Sequence, residues 1–265
     1  MVKDLRLSVF SASCIGASHI HEEKPCQDYS LCRAEGKTAI AAVADGHGAD
    51  VHFRSDRGAR FAAETAMRCI REFVTIKNAP LSDPSALLSA LEKSIIAAWH
   101  EKIACDVKTD PLEGVSGEVG ILEPYGTTLI AAAITEHYWF AIHIGDGKCV
   151  VINEDNEVSQ PVPWDERCFL TRTTSLCDED AGSLFRHYYS ETLPLAVFLG
   201  SDGIDDSFPV NENEKHLAHL YLNIYENFIK EGLKNGEAQL REMLPRLTQK
   251  GSGDDVSIAG IIRDI

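Results

Sequence analysis

The chain is poor in positive charge: 25 Lys and Arg stand against 41 Asp and Glu in 265 residues, a formal net charge of −16. That deficit argues against a surface for nucleic acid or anionic lipid, because a polyanion is repelled rather than steered in. Long apolar runs are missing as well. No stretch approaches the ~18 uncharged apolar residues of a membrane-spanning helix. The opening Met-Val-Lys-Asp-Leu-Arg-Leu alternates charged with apolar residues and lacks the core of a secretory leader. No membrane partner and a cytoplasmic location are therefore expected. The 8 cysteines never fall in a Cys-x-x-Cys pair, which leaves no support for a zinc site or a disulfide framework. Reduced, mostly buried thiols are expected. Fixed-period repeats and low-complexity linkers are absent too, so one domain over 1–265, acting as a monomer, is the expectation.

What remains is an ordinary globular composition, 44% hydrophobic, large enough to bury a core. Alternation over 5–14 predicts a strand with one buried face. A polar loop is expected over 17–28, then a strand over 29–33 turning at Glu35-Gly36-Lys37 into a fully buried strand over 39–44. Ser55 is expected to cap a helix with Phe61, Thr65, Cys69 and Phe73 on one face. A second helix, from about 82, repeats Leu87, Leu91, Ile95 and Trp99, and the two should pack as an antiparallel pair on a sheet. A surface loop over 109–124 leads to strands at 127–135, 138–144 and 148–153, which read as an antiparallel meander. Residues 154–190 carry no sustained period and read as an irregular, flap-like insertion. A buried strand at 195–200 follows. Two more helices, broken at Lys234-Asn235-Gly236, then precede a last strand over 256–262.

The chemistry concentrates at strand ends. Apolar runs end in Asp45-Gly46, Asp146-Gly147 and Asp202-Gly203, while Asp254-Asp255 opens the last strand and Gln27-Asp28 an early one. A single Asp-Gly is an ordinary turn. Several of them at the strand ends of one antiparallel fold fall along one edge, where carboxylates and glycine carbonyls make an oxygen-rich cage suited to Mg²⁺ or Mn²⁺. His47, on the glycine-flanked turn beside Asp45, is held within reach of the same point.

In order along the chain, Ala-Asp-Gly-His-Gly, Tyr-Gly-Thr-Thr, Ile-Gly-Asp-Gly, Ser-Asp-Gly-Ile-Asp-Asp and Gly-Asp-Asp-Val-Ser-Ile resemble the metal-dependent protein phosphatases of type 2C. Pro-Cys-Gln-Asp, in place of a Glu-Asp pair, is similar to the divergent, largely bacterial branch of that family. The resemblance implies an α+β fold, a four-layer α/β-sandwich of two packed antiparallel sheets flanked by helix pairs, with metals at one end. It implies two Mn²⁺ or Mg²⁺ ions, with room for a third. Asp45 would bridge the two and Gly46 would lend its carbonyl, with Asp202 and Asp254 completing the second ion's shell. Gln27 would act through water, Asp28 would hold metal-bound water or a neighbouring loop, and Asp146 would serve the third ion. His47 matches the proposed general acid, and its alternative is hydrogen bonding to a ligand carboxylate.

The implied reaction is hydrolysis of phosphoserine or phosphothreonine in proteins phosphorylated by a Ser/Thr kinase. Two ions roughly 4 Å apart activate water and neutralise phosphate oxygens, and a histidine with a pKa of about 6.5 protonates the leaving group. Two departures stand out. Many members carry a first-loop arginine that grips phosphate, where this chain offers His19, His21 and Lys24, with His19 the candidate. Lys148 replaces another, mostly structural, arginine. A pseudophosphatase used as a binding module, or a hydrolase of a small phosphorylated metabolite, are the alternatives.

Overall fold

The strands form because short β-branched and apolar runs are bounded by turn residues, and they take up two antiparallel sheets of five strands each. In the computed structural model, which describes residues 5–113, 120–169 and 172–263, β1 (Leu7–Cys14) is followed by α1 (Ala17–Glu22), β2 (Tyr29–Glu35) and β3 (Thr38–Ala44). The long helices α2 (Ser55–Ile76) and α3 (Pro84–Thr109) precede β4 (Leu129–Ile134), β5 (Trp139–Ile144), β6 (Lys148–Ile152) and β7 (Val158–Ser159). Then come α4 (Ala181–Leu184), β8 (Arg186–Ser190), β9 (Ala196–Gly200), α5 (Asp202–Asp205), α6 (Asn213–Glu231), α7 (Leu233–Lys250) and β10 (Val256–Arg263).

One sheet runs β1-β10-β9-β6-β7 and the other β2-β3-β4-β5-β8. Ala41, Val43, Ile130, Ala132, Val197, Leu199, Ala259 and Ile261 form the core between them. The opposite face of β3, β4 and β5 packs Ile40, Ala131 and Phe140 against Ile70, Leu88 and Trp99 of α2 and α3. On the other side, Phe10, Phe198 and Ile258 meet Tyr221 and Phe228 of α6 and Leu240 and Leu244 of α7. Because each sheet is covered on both faces, its central strands read as unbroken apolar runs. The result is the expected α+β four-layer sandwich. No helix among the described residues is long and apolar enough to cross a membrane.

Several local expectations need correction. The meander stops at Asp146-Gly147: β5 pairs with β4 and β8, whereas β6 pairs with β9 and β7 in the other sheet. The turn is a crossing between layers, made possible by Gly145 at φ +111°, a left-handed conformation that a side chain resists. The loop over 17–28 contains α1, whose Gly16 end is tied down by Asp255. Ser55 is not the cap of α2 but a buried residue of its first turn. The break between α6 and α7 falls at Gly232, while Gly236 lies inside α7 where only hydrogen fits against the ring of Phe228. The insertion over 154–190 is partly regular, because β8 pairs with β5 and His187 Nδ1 meets Glu92 Oε1 of α3 at 2.9 Å. Part of the expected 109–124 loop lies outside the described residues. All eight cysteines are free, but only Cys69, Cys149 and Cys168 are buried, fewer than expected.

Candidate metal and catalytic site

Strand register brings the acidic turns together. Ala44 at the end of β3 pairs with Tyr29 at the start of β2, Leu129 at the start of β4 pairs with Ile144 at the end of β5, and Gly200 at the end of β9 pairs with both Lys148 and Ile258. The exits of β3, β5 and β9 and the entries of β2 and β10 therefore share one end of the sandwich. There, a cleft of about 500 Å³ is lined by His19, Gln27, Asp45, Gly46, His47, Asp146, Asp202 and Asp254. Every site residue expected from the sequence lines it except Asp28, which is buried and accepts a hydrogen bond from Ser201 Oγ at 2.7 Å. Asp28 thus holds the turn before Asp202, the neighbouring-loop role among its expected alternatives.

The Asp45 turn is fixed from both sides. The Asp45 carbonyl accepts from Thr128 N at 2.8 Å and Thr127 Oγ1 at 2.8 Å, Gly46 N donates to Gln27 O at 3.1 Å, and His47 N donates to Gly126 O at 3.1 Å. A Cβ on Gly46 would stand 2.7 Å from the carbonyls of Gln27 and Ser55, so no other residue lets the turn close this tightly. Among the described residues, none donates a hydrogen bond to the Gly46 carbonyl. The Gln27 amide donates from Nε2 to His47 O at 3.2 Å and Ser55 Oγ at 2.6 Å. His47 O can only accept, which fixes the amide's orientation. It leaves Oε1 buried and without a partner.

The acids are costly to hold as anions. Burial first, then the charge of Asp202, keeps Asp45 well above the usual carboxylate range. Burial likewise pushes Asp202 up to about 7, and it raises Asp28 strongly. Asp202 Oδ1 is buried with no hydrogen-bond partner. Holding such a carboxylate ionised in the fold costs several kcal/mol, and either a proton or a compensating cation relieves it. No three Asp, Glu, His or Cys side chains among the described residues form a tight metal-holding group. The donors are instead spread around the cleft and include a backbone carbonyl and the Gln27 Oε1. That set suits hard divalent ions that complete their shells with water.

The remaining groups were only partly foreseen. His47 packs its ring against His52, centroids 4.9 Å apart, and burial followed by the His52 charge pushes its pKa down to about 4. The expectation of a group near 6.5 is not met. His52, five positions on, also lines the cleft, and its Nδ1 lies 2.5 Å from Glu123 O. His19 is buried and turned to the acids, Nδ1 3.0 Å from Asp255 Oδ1 and Nε2 3.8 Å from Asp254 Oδ1. His21 and Lys24 do not line the cleft. Lys148 meets Asp205 at 3.2 Å, donates to Asp146 O at 3.0 Å and lies 3.8 Å from the centre of the Trp164 ring. It pins the β5–β6 crossing beside Asp146.

The aperiodic segment supplies cleft residues that the sequence did not single out one by one. Arg172, Thr173, Ser175, Cys177 and Asp178 line the cleft. They are stapled to the turns that carry Asp45 and Asp146: Thr127 N donates to Ser175 Oγ at 3.1 Å, Leu176 N to Thr127 O at 2.9 Å, and Gly145 N to Thr174 Oγ1 at 3.0 Å. The only signal was the Thr-Arg-Thr-Thr run, polar where a strand would be apolar.

Solved structures of this architecture include the catalytic domain of the serine threonine protein phosphatase PstP in complex with 2 manganese ions, 18% identical at a TM-score of 0.61, over 98% of this chain and 100% of that one. PppA, a key regulatory component of the T6SS in Pseudomonas aeruginosa, is 16% identical at 0.63 over 97% and 98%. Serine/threonine phosphatase Stp1 from Staphylococcus aureus is 15% identical at 0.60 over 98% and 96%. At these identities the likeness concerns the fold. Among curated proteins, none matches the sequence significantly. The family model for protein phosphatase 2C matches residues 15–245, which hold Gln27, Asp45, Asp146 and Asp202, and the chain belongs to that family.

Proposed function

We propose that this protein is a Mn²⁺- or Mg²⁺-dependent phosphatase that removes phosphate from phosphoserine and phosphothreonine in proteins. The observation that carries this reading is the convergence of Asp45, Gly46, Asp202 and Asp254 in one cleft, with Asp202 Oδ1 buried and unpartnered. Asp45, the free carbonyl of Gly46, Asp202 and Asp254 would hold two such ions, and Asp146 would serve a third. Such ions neutralise phosphate oxygens and make water a nucleophile near neutral pH. The chain itself positions: Thr127 and Thr128 fix Asp45, Ser201 and Asp28 fix Asp202, and Asp255 fixes the first loop. Gln27 presents Oε1 as an acceptor for water.

His47 is proposed to donate the proton that the leaving alkoxide needs. With its pKa at about 4 the ring is neutral at pH 7, and a phosphate dianion beside it favours the charged form. The intact set of acids favours an enzyme over a pseudophosphatase.

Protein substrates are favoured over small metabolites by exposed apolar residues next along the chain or backbone to the cleft lining. Ile20 adjoins His19, Val51 and Phe53 flank His52, and Phe169 bonds to Arg172 through the backbone; all four are exposed. Exposed apolar neighbours of a polar cleft suit a protein surface better than a small polar anion. The partners are then phosphorylated products of a Ser/Thr kinase. Phosphate release from a phosphoserine peptide and from an aryl phosphate, with Mn²⁺ and with EDTA, tests the proposal. Release that persists in EDTA contradicts it.

A further inference from the structure

The cleft is acid-lined and on the proposed reading receives a phosphate dianion; metal ions would meet part of its charge, and a cation of the chain's own can grip the oxygens that face away from them. Of the candidates, Lys148 is occupied by Asp205 and Trp164, and His19 by Asp255 and Asp254. Lys24 pairs with Glu22 at 2.8 Å. Only Arg172, among the described Lys and Arg residues, lines the cleft.

We infer that Arg172 grips the substrate phosphate, taking the place of the arginine that the first loop lacks; this rests on the phosphatase reading. Three arginines lie in the described part of the segment that borders the cleft. Arg167 is forked onto Asp165, and Arg186 is held by the Pro163 and Gly145 carbonyls. The Arg172 guanidinium makes no hydrogen bond or ion pair with another described residue, so its five donors remain available for an incoming anion. A guanidinium matches two phosphate oxygens at once, which an imidazole or ammonium does not.

Its backbone is nevertheless positioned. Phe169 N donates to Arg172 O at 2.9 Å and Arg172 N to Phe169 O at 3.1 Å. Two residues on, Thr174 Oγ1 accepts from Gly145 N and donates to Asp165 Oδ2, both at 3.0 Å. Ser175 is bonded to Thr127. The arginine is thus a free cation on a base tied to the Asp45 and Asp146 turns. It shares the cleft with Asp45, Asp146, Asp202 and Asp254.

The test compares wild type with Arg172→Ala and Arg172→Lys. Three experiments are run: KM and kcat on a phosphoserine peptide at saturating Mn²⁺, the inhibition constant of inorganic phosphate, and calorimetric binding of Mn²⁺ and then of inorganic phosphate. Arg172→Ala should raise KM and the phosphate constants together by about tenfold or more, change kcat less, and leave Mn²⁺ affinity intact. Arg172→Lys should recover part of the loss. Phosphate constants within about twofold of wild type in Arg172→Ala would overturn the assignment, as would a larger loss in His19→Ala with Arg172→Ala silent. A wild type without Mn²⁺-dependent turnover defeats the phosphatase reading instead, and phosphate binding to the Mn²⁺-loaded protein still decides the role of Arg172.

Discussion

Asp255 accepts the backbone N–H of Gln27 at 2.5 Å, joining the entry of the last strand to the first loop of the chain. Its other oxygen accepts Gly16 N at 2.6 Å and lies 3.0 Å from His19 Nδ1. Asp254 is set beside it by the chain. Asp255→Asn turns an amide NH₂ toward either the Gln27 or the Gly16 N–H, so a donor faces a donor. The expected result is a loss of about 1–3 kcal/mol in urea unfolding together with reduced turnover. Unchanged stability would mean that the first loop is held by other contacts.

The raised acids set the pH dependence of the metal-free protein. Asp45 and Asp202 bind protons more tightly folded than unfolded, Asp202 at about 7, so the folded state carries the extra protons between their unfolded range and their folded pKa. Stability of the metal-free protein should therefore fall as pH rises from about 5 to 8. On the proposed reading Mn²⁺ binds the ionised acids, so it should raise Tm more at pH 8 than at pH 5.5. Thermal scans with and without Mn²⁺ check this, and a Mn²⁺ effect independent of pH contradicts it.

Half-buried Lys148 pairs with buried Asp205, whose acid is pushed up to about 6 by burial. Lys148→Met leaves that acid alone and should cost about 3 kcal/mol at pH 8, less at pH 5 where the acid takes a proton. Lys148→Arg keeps the charge and should lose less. Denaturant curves at the two pH values are the measurement, and equal losses at both would place the effect in packing against Trp164.

His47→Ala should slow a phosphoserine peptide by about a hundredfold or more, with a much smaller effect on an aryl phosphate whose leaving group needs no proton. Equal losses on both substrates would mean that His47 only orders the turn through the Gly126 bond.

The layered fold and most of the site were legible because both are written in local patterns. Apolar runs such as 39–44 and 129–134 announce buried strands, and an Asp-Gly at a strand's end marks a turn regardless of what lies opposite. What was missed depends on partners distant in sequence. Nothing near Asp146-Gly147 shows that β6 finds β9 rather than β5, since the choice is made by pairing with residues fifty positions on. Burial first, and then the charge of His52, lowers the pKa of His47. Arg172 and Ser175 sit in a segment without period, held by Thr127 and Gly145 rather than by any ladder of its own.

The most direct measurement is Mn²⁺ binding and phosphate release by wild type and Asp202→Asn on one phosphoserine peptide. Wild type should bind Mn²⁺ and release phosphate, with EDTA abolishing release. Since even outer-shell partners of a metal contribute 10–100-fold, removing this carboxylate should lower both Mn²⁺ affinity and turnover by more than about a hundredfold. An Asp202→Asn protein that keeps both would contradict the metal-dependent mechanism.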